Sequence, residues 1–319
     1  MHLIYLGVVK RIIVNYLIKG ARKCKLSKRN LAYMNCLMKQ LQKHVSNEFT
    51  RKPRSFMEIK RWKALEFRNF IIYLFPIVMY NNLDKKRYNH LLLLHIAVTI
   101  LCSKTLIASF LHIAKQDIFQ FVQQSARIYG PGFVVYNVHS LLHICKDVEM
   151  YGPLESFSCF PYENYLGKIK RLIRGTRLPL QQIANRITEL DSSSLNCSVQ
   201  TEYIPKQIIG ESQNKNSFKC STLITKRFKL SIKIPNNIVS VYNKIVEIKH
   251  IFCIEGRDKC VGTPFKYMHD LYNSLIPSSK LGIFFLHSYN LPITFFVEEI
   301  NYKCLLFPFK KGYAAFPIK

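Results

Sequence analysis

Acidic residues are scarce in this sequence. Its 319 residues include 19 Asp and Glu against 47 Lys and Arg, a net charge of +28. That imbalance argues against an electrically neutral surface and for a polyanionic partner. Nucleic acid is the first candidate and an anionic membrane surface the second; drift in a Lys-rich genome is the bland alternative. The ten cysteines contain no CxxC pair. Scattered in this way, they read as free thiols in a reducing compartment. A signal peptide is not expected either. Met1 to Gly20 is apolar, but Lys10 and Arg11 interrupt it and no small-residue cleavage site follows. Long hydrophobic runs are also missing. The stretch Leu91–Cys102 ends at Ser103-Lys104, well short of the ~20 residues that a membrane span needs. It predicts a buried helix and no membrane partner.

The positive charge is unevenly spread. Residues 1–68 hold 17 Lys and Arg against Glu48, Glu58 and Glu66, a balance of +14. The basic run from Lys19 to Arg29 reads as a nuclear import patch, a phosphate-contacting loop or a solvated surface. Helical spacing continues through residues 1–130. Leu3, Leu6, Ile13 and Leu17 share a face before Gly20. Ser27 and Ser55 stand as N-caps, with Trp62 as a core anchor. His95 and His112 read as packed side chains. This order lacks the strand–helix alternation of an RNase H core.

The most informative stretch is Tyr136 to Arg177. His139 and His143 are four apart and share a helix face. After Gly152-Pro153 a second helix opens near Pro161, with Glu163 in its first turn. At about 100° per residue, Tyr162, Leu166, Ile169 and Ile173 form an apolar stripe. Glu163, Gly167, Lys170 and Arg174 form another. A carboxylate heading a cationic row suits a metal ligand among phosphate contacts. It also suits a plain amphipathic surface helix with an acidic first turn.

The order His139-Ser-Leu-Leu-His143, Gly152-Pro153, Pro161-Tyr162-Glu163-Asn164-Tyr165-Leu166 resembles the C-terminal catalytic segment of CACTA (En/Spm-like) DNA transposases. The His143 to Glu163 interval is also similar to that of the V(D)J recombinase catalytic subunit, a distant relative. The resemblance implies that Glu163 is the third acid of an RNase H-like Asp-Asp-Glu triad. It implies that His139 and His143 ligate structural Zn²⁺ with an upstream pair, of which His2 before Leu6-Gly7 is a candidate survivor. A His beside an initiator Met is the other reading of His2. Lys168, Lys170, Arg171, Arg174 and Arg177 become DNA contacts. Mg²⁺ would bind only to a restored triad, because Asp84, Asp117 and Asp147 lie in no strand-like run. Asp147 has the spacing to orient His143 or simply to face solvent. The implied partners are double-stranded DNA and a second copy or a full-length transposase, and the implied location is the nucleus. The expectation is a truncated or domesticated transposase fragment; the alternative is a non-catalytic nucleic-acid-binding or interaction module.

The expected fold class is α+β. A helical region, 1–190, holds the insertion and Glu-bearing helix of the RNase H-like family with its core incomplete. A polar linker follows at 191–217. A small β-rich domain occupies 218–319, with short strands at Phe228–Ile234, Ile238–Ile248, Ile251–Ile254, Leu281–Leu286, Thr294–Val297, Lys303–Phe309 and Tyr313–Ile318.

Overall fold

A computed structural model describes residues 2–20, 24–195, 209–214, 217–225, 228–254 and 257–318. Residues 196–208 of the expected linker and 21–23 of the basic run lie outside them. The chain divides into two compact units: Met1–Leu154 with Pro205–Lys319, and Glu155–Ile204. The fold is α+β, with a helical N-terminal region and a β-rich C-terminal one.

The first segment is helical but wider than expected. Leu3–Val9 and Ile12–Ile18 are π-helical, and Lys10 N–H donates to the Tyr5 carbonyl five residues back. This winding spaces the inward positions four to five apart, so Ile4, Val8, Ile12 and Leu17 are buried while Leu3 and Leu6 are only half-buried. Helix α1 spans Lys28–Leu41, and the Ser27 side chain accepts from Asn30 N–H. Ser55, the second expected cap, caps a 3₁₀ turn, Phe56–Arg61, and accepts from Met57 N–H. The chain extends at Trp62, which is 4% exposed and donates Nε1–H to the Ser55 carbonyl. Helices α2 (Ala64–Asn69) and α3 (Phe75–Val78) follow, with Pro76 in the first turn of α3.

Helix α4, Lys85–Leu101, begins at an Asp84 cap and is buried throughout His90–Leu101. Among the described residues no helix is long and apolar enough to cross a membrane. Helix α5, Lys104–Tyr129, ends at Gly130, whose φ of +96° lies where a side chain would be strained. Helices α6 (Tyr136–His139) and α7 (Ile144–Tyr151) flank a 3₁₀ turn. Helices α8 (Phe160–Leu172) and α9 (Pro179–Leu195) belong to the second unit.

The strands are β1 (Ile209–Asn214), β2 (Ser217–Cys220), β3 (Thr222–Ile224), β4 (Lys229–Ser231), β5 (Ile238–Val241) and β6 (Lys244–Ile254). Then come β7 (Arg257–Asp270), β8 (Phe284–Tyr289), β9 (Ile293–Phe296), β10 (Ile300–Phe309) and β11 (Gly312–Pro317). The expected strand Ile238–Ile248 is a hairpin, because Tyr242 and Asn243 take φ of +50° and +60° and turn the chain. Strands β5, β6, β7, β8, β11 and β10 pair antiparallel in a ring. The sheet therefore closes as a small barrel and hides most strand edges. Ile238, Ile245, Phe265, Leu286, Cys304 and Leu306 belong to one buried cluster of the β-rich part. Closure is tight at Gly262, where a Cβ would lie 2.6 Å from Val246 Cγ1 and 2.8 Å from the Glu247 carbonyl oxygen.

Within the first unit the helices and the barrel share buried polar contacts. Lys303 Nζ, 3% exposed, donates to Glu48 Oε1 and Oε2 at 2.8 Å and to Asn236 Oδ1 at 2.7 Å. Ser46 Oγ donates to the same Asn236 atom at 2.9 Å. His95, buried as expected, pairs with the Tyr272 hydroxyl at 2.7 Å, whereas His112 is exposed.

Candidate functional site

The histidine segment is shaped by its apolar residues. Val138, Leu141, Ile144, Cys145 and Val148 are buried, which turns His139 and His143 outward. Their ring centroids are 5.8 Å apart at 68°, so the helical juxtaposition read from their spacing is present. The N-terminal helix lies against this segment. A Cβ on Gly7 would come 2.9 Å from Asn137 Nδ2, Arg11 donates to the Gly132 carbonyl at 2.8 Å, and Tyr16 meets Phe133 edge-on at 5.1 Å. His2 is exposed at the start of that helix.

A closed zinc site takes four ligands. Among the described residues no three His, Cys, Asp or Glu side chains converge as a metal-binding group. His139 and His143 are neighbours, and among the described residues neither His2 nor any other such side chain joins them in a group of three. Asp147 is half-buried and makes no hydrogen bond or ion pair among the described residues, so it does not hold His143.

The second unit carries Glu163. Pro161 occupies the first turn of α8, Glu163 follows in that turn, and Lys170 and Arg171 lie in the last. This ordering matches the helix dipole at both ends. No residue of α8 is buried. Tyr162 is 73% exposed and Leu166 62%, so the outer half of the expected apolar stripe faces solvent. Ile169, Leu172 and Ile173 are half-buried, as are Ile183 and Ile187 of α9.

Lys168, Lys170 and Arg171 are exposed on α8. The helix ends at Leu172, because Ile173 is extended with ψ of 117°. Arg174 therefore leaves the row that helical spacing gave it. Both Arg174 and the exposed Arg177 lie in a loop clasped by Gln182. Gln182 Oε1 accepts from Arg174 N–H at 2.9 Å, and Nε2 donates to the Arg177 carbonyl at 2.6 Å. The clasp was not read from the sequence, where Gln182 is one of two adjacent glutamines.

The earlier aspartates have other environments. Asp84 caps α4 and pairs with Arg87. Asp117 is buried in the middle of α5, with neither carboxylate oxygen hydrogen-bonded. Asp147 lies on α7. None of the three is on a strand.

In the basic segment 1–68 the acids are taken up by particular cations. Arg54 holds Glu66 in a two-pronged pair at 2.6 and 2.7 Å and reaches Glu58 at 3.8 Å, while Glu48 pairs with Lys303. Lys10, Lys25, Lys28, Arg29, Lys39, Lys43, Arg51, Lys60 and Arg61 form no ion pair among the described residues.

Residues 205–318 match a family described as Domain of unknown function (DUF8592). The match covers less than half of the chain, and its span coincides with the β-rich part of the first unit. No curated protein and no solved structure matches the chain significantly.

Proposed function

We propose that this chain is a transposon-derived, nuclear DNA-binding protein. It is a transposase-derived segment that carries the third acid of a two-metal phosphoryl-transfer site, with none of Asp84, Asp117 and Asp147 on a strand. One observation carries the reading: Glu163 stands exposed in the first turn of a helix whose surface also carries Lys168, Lys170 and Arg171. A carboxylate there can share a metal while the cations neutralise phosphates. His139 and His143 would add two zinc ligands, to be completed by groups outside the described set. Two-metal catalysis needs several converging carboxylates, and Asp84 caps a helix, Asp147 sits on one and Asp117 is buried in one. The chain alone is therefore a binder, and Mg²⁺ chemistry requires an upstream core from elsewhere.

The test is duplex DNA binding by the full chain against salt concentration. Affinity should fall by orders of magnitude between roughly 50 and 200 mM salt, and Lys170→Ala should lower the slope by about one. Strand cleavage with Mg²⁺ or Mn²⁺ should be absent. Fusion behind a related core carrying both aspartates should restore nicking, and Glu163→Gln should abolish it without changing affinity. Nicking by the fusion that survives Glu163→Gln would sink the assignment. The second reading, a non-catalytic binding module, draws on the burial of Asp117 and the capping role of Asp84. It predicts the same salt response with no gain on fusion.

A further inference from the structure

The face formed by β7 and β8 presents rings to solvent. Tyr267 and His287 are cross-strand partners, their centroids 4.7 Å apart at 26°. His269 stacks on His287 at 5.3 Å and 18°. Phe285 extends the row, 6.0 Å from His287 and 6.3 Å from Phe309. Tyr80 closes it, 5.2 Å from Phe309. Beyond lies a cavity of about 520 Å³ lined by Tyr80, Phe309, Lys310, Arg29 and Tyr33.

Cations accompany the rings. Lys266 Nζ lies 5.1 Å from the Tyr267 ring centre and Lys310 Nζ 4.3 Å from that of Tyr80. Neither ammonium has an ion-pair partner among the described residues. Tyr267 is 42% exposed, Tyr33 is 60% exposed, and His269 is exposed as well. Cross-strand stacking alone would steady the two strands. It does not account for ammonium groups over both ends of the row, or for the basic cavity that continues it.

Ring faces beside unpaired cations match a ligand that is flat and anionic along its length. Duplex DNA hides its base faces in the stack; a single strand offers them to aromatic side chains while its phosphates meet the lysines. We propose that the β7–β8 face binds single-stranded nucleic acid, with bases on Tyr267, His269 and His287 and phosphates on Lys266, Lys310 and Arg29. The site uses no residue of α8 and does not depend on the transposase reading.

Fluorescence anisotropy of the full chain with a labelled oligothymidylate of about 15 nucleotides, beside a duplex hairpin, tests this. Tyr267→Ala/His287→Ala should weaken single-strand binding by about tenfold or more, because stacking on each ring is lost, and leave the duplex within about twofold. Tyr267→Phe should keep single-strand affinity, which controls for folding. Lys170→Ala should act on the duplex and spare the oligothymidylate. The proposal is overturned if the double variant binds oligothymidylate as the parent does, or if both probes weaken equally. It is also overturned if a polyglutamate peptide displaces the oligonucleotide as effectively as unlabelled oligothymidylate.

Discussion

Asp117 is fully buried on the inward stripe of α5, between Ala114 and Phe121, and neither of its oxygens finds a donor. Burial pushes its carboxyl up to about 7. His90 on α4 is pushed the other way, down to about 4, by burial only partly offset by its bond to the Phe121 carbonyl. The two act oppositely on stability. The folded chain keeps the Asp117 proton that the unfolded chain loses near pH 4, so this group lowers stability as pH rises from about 4 to 7. His90 must stay neutral, so its contribution is complete above about 6.5 and is lost as pH falls toward 4. Each term is of the order of 3–4 kcal/mol, and over their shared window they largely cancel. Asp117→Asn should expose the histidine slope. The variant should match the parent near pH 4 and exceed it above pH 7, by up to roughly 4 kcal/mol. Urea unfolding across this range measures it, and identical pH profiles would count against the assignment.

At the scale of elements, what the sequence disclosed was mostly local. Ser27 and Ser55 could be read as caps because a cap bonds only two or three residues away. The burial of Leu91–Cys102 followed from a run with no polar stripe. Register and pairing partners were less legible. The first helix hides its inward face behind π-helical winding, which a 100° wheel does not follow. Strand β7 is hidden in the sequence because Gly262 and Pro264 interrupt its pattern, yet Gly262 permits the close barrel closure. In the candidate site the His139–His143 pair and the basic surface of α8 were visible, since both depend on short helical spacing. The loss of Arg174 from the row was not, because Gln182 acts eight residues on. The platform of Tyr267, His269 and His287 needs β8 beside β7, and no local spacing reveals that. The Lys303 node is likewise non-local, joining strand β10 to the loop after α1. Lys303→Met should destabilise the fold by about 3 kcal/mol, the low end for breaking a buried pair, because Glu48 keeps some exposure. Adding Glu48→Gln should recover part of that loss in denaturant titrations. An additive double variant would show that the pair is not coupled.

At the scale of the molecule, the family match stops where the strands stop, but the packing does not. The barrel side contributes Tyr272 to His95, Phe316 to Tyr73, Phe309 to Tyr80 and Lys303 to Glu48. Tyr272 and Phe316 are 8% and 1% exposed, so removing the helices would uncover both. Lys303 would become a cation without its main partner, and Asn236 would lose Ser46. Fully burying a ring of this size contributes about 1.5–3 kcal/mol, so uncovering both costs up to about 6 kcal/mol, a large part of the roughly 5–15 kcal/mol typical of a small domain. Residues 205–319 expressed alone should therefore lack a cooperative thermal transition and should bind a hydrophobic dye. Co-expression with residues 1–154 should restore a sharp transition and yield a complex that co-purifies. If the β-rich part alone melts cooperatively, at the temperature of the intact chain and without dye binding, then the helices merely rest on a self-sufficient barrel. The polar node around Lys303 would then be a surface contact and not part of a shared core.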